Sequence, residues 1–383
     1  MPGPATRARA TTAVVAGAAF VLLAVALASP RVTREMPDFE VYWRAAVRAA
    51  AAEPLYRAED QHYQFKYLPA FAVLAAPLGL LPLQQAKIFW FGLSVALLLA
   101  LVASSLHLPA ERRKPRWLLA AAVVLAMGKF YGHELVLGQV NLLFGVIAVG
   151  SLLWLKHGRD VPAGLLIALA VVVKPYAALF VPWLLAQRRP RAFAAAAAGV
   201  TVALALPALV YGVPGTVALH GQWWRTVFES TAPNLLNQDN VSLAAMFAKW
   251  MGPGPAAAWL AAAAAVTLLF IAGLALAQRG KVACPEGLEG ALLLTLIPLL
   301  TPQGWDYVFL IATPAVVYLG NYEDRLPRAL RVAAVGAVAV IGLSLFDLMG
   351  RANYARFMSL SIITLCFLVV IAALAVLRAR GVA

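Results

Sequence analysis

The feature that most constrains this 383-residue chain is a succession of long apolar runs separated by short clusters of charged residues. Hydrophobic residues make up 63% of the sequence and charged residues 13%, against about 45–50% and about 25% in soluble domains. The mean hydropathy of +0.81 leaves too little polar surface to cover a water-soluble globule. Because the runs are continuous and do not alternate at every second residue, they predict an all-α polytopic membrane protein and exclude an outer-membrane barrel.

At about 20 residues per crossing, the apolar runs predict twelve membrane spans. Their limits are 13–29, 85–107, 117–130, 139–156, 161–174, 175–187, 192–211, 256–277, 288–301, 307–320, 330–348 and 359–377. We interpret 13–29 as a retained helix, because Pro30 makes the preceding Ala28-Ser29 a poor signal-peptide cleavage site. A further apolar stretch, 67–83, is interrupted by three prolines, and we expect it to lie on the outer surface or to re-enter there.

Basic residues cluster in the short loops between the predicted spans. If 67–83 does not cross, these clusters share one side of the membrane, and they contain 18 of the 31 Lys and Arg residues. They are Arg7/Arg9, 112–116, 156–159, 188–191, 279–281, 325–331 and Arg378/Arg380. The positive-inside rule identifies that side as cytoplasmic. The net charge of +14 therefore reflects membrane orientation and does not indicate a nucleic-acid partner.

This arrangement predicts one transmembrane domain over residues 1–383 with both termini in the cytoplasm. The Ala- and Arg-rich composition suggests a GC-rich bacterial genome, and we expect the chain to lie in the plasma (inner) membrane. Two longer segments, 30–84 and 212–240, fall on the outer side as loops, the first with juxtamembrane helices. Within it, residues 38–48 predict an amphipathic surface helix. Its charged stripe consists of Glu40, Arg44 and Arg48, and its aromatic face of Phe39, Tyr42 and Trp43.

Asp38 is the first candidate for chemistry, because an ionisable group at the membrane boundary is costly and indicates function. It follows Pro37 at the start of the predicted surface helix. One interpretation is an N-cap, in which the carboxylate accepts hydrogen bonds from the backbone of the next turn. The other is a general base that removes a proton from an acceptor hydroxyl. The sequence leaves both interpretations open.

Three cations near the predicted outer side are candidates for binding a donor phosphate. Lys174 interrupts an apolar run just before Pro175, Lys66 lies in the first outer segment, and His133 lies just before the fourth span. A lysine is a point charge that can bind a phosphate from an apolar wall. Alternatively, Lys174 snorkels to the interface and Lys66 belongs to a solvated loop surface.

Further polar side chains are candidates for binding a sugar or an acceptor. They are Tyr42, Glu134, Gln139, Asn141, Asn237, Gln238, Trp305 and Asp306. Alternatively, polar bonding between helices explains the group around Glu134, and interfacial anchoring explains Trp305 and its neighbours. Neither an H-E-x-x-H motif nor a cysteine cluster is present, so we expect no metal site and no cofactor beyond the substrates.

In their order along the chain, these motifs resemble those of glycosyltransferase family 87, the DUF2029-type proteins. They are Asp38-Phe39-x-Val41-Tyr42-Trp43-x-Ala45-Ala46, Leu55-Tyr56, Phe65-x-Tyr67-x-Pro69, Pro77-Leu78-x-Leu80-Leu81-Pro82, Gly138-Gln139-Val140-Asn141, Ala163-Gly164-Leu165 with Lys174-Pro175-Tyr176, Asn237-Gln238 and Pro302-x-x-Trp305. The resemblance covers roughly residues 10–320.

The resemblance implies a GT-C fold and a mannosyltransferase-like enzyme that takes its sugar from a polyprenyl phosphate, without a nucleotide sugar. Transfer would occur on the extracytoplasmic face with inversion, and the family's catalytic aspartate corresponds to Asp38. The implied partners are a lipid-linked donor, a glycolipid or glycan acceptor of the cell envelope, and the bilayer.

Two positions depart from the family's pattern. Leu68 stands where a further proline is common, and Asp306-Tyr307 stands where many members carry histidines. A role assigned to such a histidine therefore does not transfer to this chain, and the acceptor stays open. The alternative function is a transporter or flippase for a polyprenyl-linked sugar or lipid. A transporter usually shows internal repeats, which are not evident here, whereas the polar candidates gather at one face.

Overall fold

The computed structural model describes residues 26–277, 282 and 284–382. Residues 26–32 are helical, so the predicted span 13–29 lies outside the described residues except for its last four positions. The α-helices that follow are Pro37–Ala50, Pro69–Ala75, Leu83–Ser105, Arg116–Leu137, Asn141–Lys156, Asp160–Val173, Phe180–Ala186, Pro190–Ala205, Ala208–Glu229, Thr231–Asn234, Leu243–Met251, Pro255–Ala277, Glu286–Leu300, Thr313–Tyr322, Arg328–Leu343, Phe346–Ser359 and Ile362–Ala379.

Short 3-10 turns connect several of these helices. They cover Ala58–Tyr63, Ala76–Leu80, Pro175–Leu179, Asp306–Ala312 and Glu323–Arg325. Strand pairing among the described residues is limited to one isolated antiparallel bridge between Asn240 and Trp305. The prediction of an all-α chain is confirmed for this part of the protein.

Four helices are long and apolar enough to cross a membrane. They are Leu83–Ser105, Arg116–Leu137, Pro255–Ala277 and Ile362–Ala379. Two bent helix pairs raise the number to six if each pair counts as one span. The other apolar helices are shorter: Asn141–Lys156, with 16 residues, measures about 24 Å against a hydrocarbon core of about 30 Å. The count of twelve spans stays a prediction.

The bends of the two pairs fall where the sequence predicted uninterrupted elements. The helix Pro190–Ala205 meets the helical segment Ala208–Asn234 at 90°, and Arg328–Leu343 meets Phe346–Ser359 at 107°. The segment 212–240, predicted to be an outer loop, contains helical structure as far as residue 229, after a break at Gly212 with φ of 67°. His220, Gln222 and Arg225 lower the local hydropathy, but they leave the helical pattern intact.

The predicted amphipathic surface helix is present as Pro37–Ala50, which we call the surface helix. It packs against residues 69–80, and Trp43 Nε1 donates a hydrogen bond to the carbonyl oxygen of Leu81 at 3.0 Å. Residues 69–80 are helical over only 12 positions, about 18 Å, which is too short to cross a membrane. This agrees with the interpretation that 67–83 does not cross.

The predicted cytoplasmic loops that fall within the described residues lie together at one end of the bundle, which we call the basic end. Lys156 Nζ donates a hydrogen bond to the carbonyl oxygen of Leu108 at 2.9 Å. Arg113 forms an ion pair with Asp324 at 2.6 Å. The structure therefore brings together loops that the charge pattern assigned to one side of the membrane.

A buried ion pair lies near this end and joins two core helices. Glu289, on the helix Glu286–Leu300, accepts hydrogen bonds from Nε and Nη2 of Arg378 at 3.1 and 3.0 Å. Both side chains are 1% exposed. All of the positions from Glu286 to Leu299 are buried, and apart from the two glutamates of its first turn and Thr295 the helix is apolar on every side, as expected in the middle of a bundle.

Candidate active site

A cavity of about 500 Å³ lies at the opposite end of the bundle from the basic loops. The helix Arg116–Leu137 begins beside His107 at the basic end and runs about 33 Å to Leu137, which lines the cavity. Cavities of this size hold small-molecule ligands in proteins. The cavity is lined by parts of the surface helix, the Lys174 turn, the helix Ala208–Glu229 and the segments 237–239 and 301–308.

Eight of the twelve side chains that the sequence singled out line this cavity. They are Asp38, Tyr42, Lys66, His133, Gln139, Lys174, Asn237 and Trp305. They come from at least six separate parts of the chain, so the fold brings together groups that are up to 267 positions apart. The four others, Glu134, Asn141, Gln238 and Asp306, do not line it.

Asp38 lies in the first turn of the surface helix. The helix begins at Pro37, and its N-cap is Met36, which makes no side-chain capping bond. The structure thus does not place Asp38 at the N-cap. Its Oδ2 accepts a hydrogen bond from Gln139 Nε2 at 2.7 Å, and the positive end of the helix dipole favours a carboxylate at this position.

Gly138 allows the close approach that puts Gln139 beside Asp38. It ends the helix Arg116–Leu137 in the left-handed conformation, with φ of 70°. A Cβ at this position would lie 2.7 Å from Met36 Cε and 2.7 Å from Phe39 Cβ. Trp90 Nε1 fixes the same turn by donating to the carbonyl oxygen of Gly138 at 2.9 Å. Only glycine meets both demands, the positive φ and the absence of a side chain.

A chain of hydrogen bonds runs from Asp38 through Gln139 to Lys174. Gln139 Oε1 accepts from the hydroxyl of Tyr42 at 2.7 Å and from that of Tyr67 at 3.3 Å. Lys174 Nζ donates to the hydroxyl of Tyr67 at 2.9 Å. Two side chains, Tyr67 and Gln139, therefore connect the Lys174 ammonium group to the Asp38 carboxylate.

Lys174 reaches the cavity because the helix stops there. The helix Asp160–Val173 ends at Lys174, whose backbone is extended with φ of −144° and ψ of 107°. Pro175 cannot continue the helix and disfavours helical geometry in the residue before it. The ammonium group also lies 4.6 Å from the centre of the Tyr67 ring, a cation–π distance.

Lys66 contributes a second ammonium group to the same cavity. Burial lowers the pKa of this lysine, and the negative charge of Asp38 opposes the shift. Trp223, which also lines the cavity, donates from Nε1 to the carbonyl oxygen of Lys66 at 3.2 Å. The backbone that carries Lys66 is thereby tied to the helix Ala208–Glu229.

His133 lines the cavity and is held from behind by Asp306. The two side chains lie 3.3 Å apart between Nδ1 and Oδ1, and Asp306 is 5% exposed. The His133 ring also meets the Tyr307 ring edge-on, with 5.0 Å between ring centres. Asp239 is a second acid near His133. Burial and the neighbouring Asp306 carboxylate raise the pKa of Asp239. Asp306 orients the imidazole and does not itself line the cavity.

Glu134 and Asn141 were assigned to the sugar site from sequence, but both are fully buried behind it. Glu134 accepts from Asn141 Nδ2 at 2.8 Å and from the backbone nitrogen of Leu142 at 3.0 Å. This carboxylate satisfies the first turn of the helix Asn141–Lys156, which is the polar-bonding alternative that the sequence left open. Gln238 does not line the cavity either; its carbonyl oxygen accepts from Lys249 Nζ at 2.9 Å.

Several lining side chains were not among the sequence candidates. They are Tyr67, Tyr176, Trp223, Asp239, Gln303 and Tyr307. Tyr67 stands inside the motif Phe65-x-Tyr67-x-Pro69, so its position in a motif was the available signal. No local pattern marks Asp239 or Tyr307, because they reach the cavity only through the long-range contact between segments 237–241 and 302–307.

The arrangement combines two carboxylates, Asp38 and Asp239, with cationic and amide donors around a single cavity. A carboxylate can remove a proton, and ammonium and imidazolium groups can stabilise an anion that forms as a bond breaks. Within residues 26–277 and 284–382, no three His, Cys, Asp or Glu side chains are grouped as metal ligands.

The sequence profile of glycosyltransferase family 87 matches residues 65–302. The match covers more than half of the chain and includes much of the cavity wall. No curated protein and no solved structure matches the chain significantly.

Proposed function

This chain belongs to glycosyltransferase family 87, and from that membership we propose that it moves a sugar from a polyprenyl-phosphate donor to a lipid or glycan acceptor. We propose mannose as the sugar that is transferred. The observation that carries the proposal is that Asp38, Lys66, Lys174 and His133 all line the same cavity. A transferase that releases a phosphate needs a base for the acceptor and positive charge for the leaving group.

In the proposed reaction, Asp38 removes the proton of an acceptor hydroxyl. The acceptor oxygen forms a bond to the anomeric carbon as the bond from that carbon to the phosphate oxygen breaks. The electron pair of the broken bond leaves with the polyprenyl phosphate, and the proton stays on Asp38. Attack from the side opposite to the leaving group inverts the anomeric configuration.

Lys174 and Lys66 are the groups we assign to the departing phosphate, with His133 as a third donor. Negative charge increases on the phosphate during bond breaking, and fixed cations at that point lower the barrier. Lys174 acts at the same time on Asp38, because Tyr67 and Gln139 connect the two. The positive charge of Lys174 favours the ionised form of a carboxylate base.

The proposal includes a GT-C fold with twelve spans, both termini in the cytoplasm and the cavity at the extracytoplasmic face of a bacterial plasma membrane. Support comes from the two ends of the bundle. The basic loops contact one another at one end, and the cavity lies about 33 Å away, at a distance close to the thickness of the hydrocarbon core.

The experiment is a transfer assay with the purified chain in lipid, a radiolabelled polyprenyl-phosphate mannose and total membrane glycolipids as acceptor. We expect label to appear in a new glycolipid. The assay is repeated with other polyprenyl-phosphate sugars if mannose is not transferred. The proposal is contradicted if no label leaves any of these donors and the protein instead moves the donor across the bilayer. That outcome would support the alternative, a transporter or flippase.

A further inference from the structure

A second cavity adjoins the first on the other side of the surface helix. Its volume is about 370 Å³, and three residues line both cavities: Pro37, Val41 and Tyr63. Asp38 lies between Pro37 and Val41 in the chain and faces the first cavity. The two cavities thus share one helical turn and one tyrosine as a common wall, and Asp38 belongs to that turn although it lines only the first cavity.

The wall of the second cavity is charged with both signs. Five of its side chains are charged: Arg34, Glu35, Glu40, Arg44 and Lys87. Three of them form a fixed network, since Glu40 pairs with Arg44 at 2.6 Å and with Lys87 at 3.3 Å. These two cations lower the pKa of the Glu40 carboxyl group, although its partial burial opposes the shift.

Lys87 makes this wall rigid because it is almost completely buried. Its side chain is 6% exposed, and Nζ also donates to the carbonyl oxygen of Glu35 at 2.5 Å. The turn that precedes the surface helix is therefore tied to the helix Leu83–Ser105. The part of the wall around Lys87 and Glu40 is therefore held by contacts within the protein, which lowers the cost of binding a ligand there.

Arg34 and Glu35 differ from the other three side chains of this wall. Both are exposed, and within the described residues neither takes part in an ion pair or a side-chain hydrogen bond. One is a donor and the other an acceptor, and both line the cavity. A ligand hydroxyl can accept a hydrogen bond from the Arg34 guanidinium and donate one to the Glu35 carboxylate, so this pair suits a neutral polyhydroxyl group.

We propose that the second cavity is the acceptor subsite and that it binds the polyol or sugar headgroup of the acceptor. This inference rests on the proposed function, and it specifies the acceptor's chemistry. The headgroup lies against Arg34 and Glu35 and extends past Tyr63, so that one hydroxyl reaches Asp38. The donor occupies the first cavity. A transfer between two bound substrates requires both to be held next to the reacting groups. Two adjoining cavities that are both lined by the helical turn containing Asp38 provide this arrangement.

The test uses photoreactive octyl glucoside, a sugar headgroup on an alkyl chain, with the full chain in phosphatidylcholine nanodiscs. Labelled peptides are mapped by mass spectrometry. We expect label on the segment 34–44 or around Lys87, and we expect Arg34→Ala combined with Glu35→Gln to reduce it about tenfold or more. Arg31→Ala is the matched control, since this exposed arginine lies three residues earlier and does not line the cavity.

Equal labelling of the double variant and the control would overturn the inference, and so would label confined to the first cavity. Inorganic phosphate that displaces the probe better than unlabelled octyl glucoside would show an anion site and would also overturn it. Failure of the proposed function can be distinguished from failure of this inference. If only the proposed function is wrong, the labelling persists but no sugar is transferred. If transfer occurs, the double variant should raise the acceptor KM about tenfold and leave the donor KM unchanged.

Discussion

Gln139 Nε2 donates a hydrogen bond of 2.7 Å to Asp38 Oδ2 across 101 positions of sequence. The same amide accepts through Oε1 from Tyr42, so its orientation is fixed from both sides. An amide held in this way stabilises one position and one ionisation state of the carboxylate. Gln139 was a sugar-binding candidate from sequence; in the structure it positions the candidate base.

Replacing this amide with a carboxylate should change the pH dependence of transfer. In Gln139→Glu, a second negative charge beside Asp38 favours the protonated form of Asp38. The acid limb of the profile of kcat/KM against pH should therefore move to higher pH, by about one unit or more. Gln303→Glu is the control, because Gln303 lines the same cavity but binds Ser230 and Thr231. An identical shift in both variants would show a general charge effect and would contradict the positioning role.

Loss of the Lys174 ammonium group should weaken donor binding. Lys174→Ala removes a charged hydrogen-bond donor from the cavity, and we expect the donor Kd to rise about tenfold to a hundredfold. Donor binding to detergent-purified protein is the measurement. Arg225→Ala removes an exposed cation from a residue that does not line the cavity, and it should leave the Kd unchanged. A larger loss of donor binding in Asp38→Asn than in Lys174→Ala would reverse the roles assigned to these two residues.

A side chain at Gly138 should displace the surface helix. Gly138→Ala places a Cβ 2.7 Å from Met36 and Phe39, in a backbone conformation that alanine rarely adopts. A shift of the turn by about 1 Å is expected to reduce kcat about a hundredfold. Gly132→Ala is the control in the same helix, because its Cβ would meet open space. Equal kcat values for the two variants would show that the contact does not position Asp38.

The buried pair at the basic end should matter for stability and not for chemistry. Arg378→Met leaves Glu289 buried without its guanidinium partner, which should cost about 3–5 kcal/mol of unfolding free energy. Arg380→Ala, at an exposed position two residues later, should cost no more than about 0.5 kcal/mol. Denaturant unfolding in detergent compares the two. A stability of Arg378→Met equal to that of Arg380→Ala would mean that solvent reaches Glu289.

The surface helix could be predicted because its cause is local. Glu40, Arg44 and Arg48 recur at intervals of four, and Phe39 and Tyr42 supply the buried face. The helix Ala208–Glu229 was missed for the opposite reason. Polar residues interrupt its hydropathy, although Leu219 faces the protein. A hydropathy window reports transfer to lipid, and it does not report whether a segment is helical at the membrane surface.

The membership of the cavity could be predicted only in part. Asp38 and Lys174 stand out because a charge in apolar surroundings is costly. Glu134 was a candidate as well, but its carboxylate accepts hydrogen bonds from Asn141 and Leu142 behind the wall. Which polar group faces a cavity depends on long-range packing, and a single sequence does not encode that in a local pattern.

Arg378 shows the same limit at the other end of the bundle. From sequence it belongs to a basic cluster that faces water, and in the structure it is one of the most buried side chains. Its partner, Glu289, is 89 positions away. The charge pattern predicted which loops lie together, but it did not predict which of their cations are paired inside the bundle.

The most direct test of the central claim compares wild type and Asp38→Asn in single turnover, with polyprenyl-phosphate mannose saturating and donor binding measured in parallel. We expect the rate of transfer to fall by about 10²–10⁴-fold, the usual contribution of a general base, while the donor Kd changes little. Transfer at the wild-type rate by Asp38→Asn would contradict the assignment of Asp38 as the base.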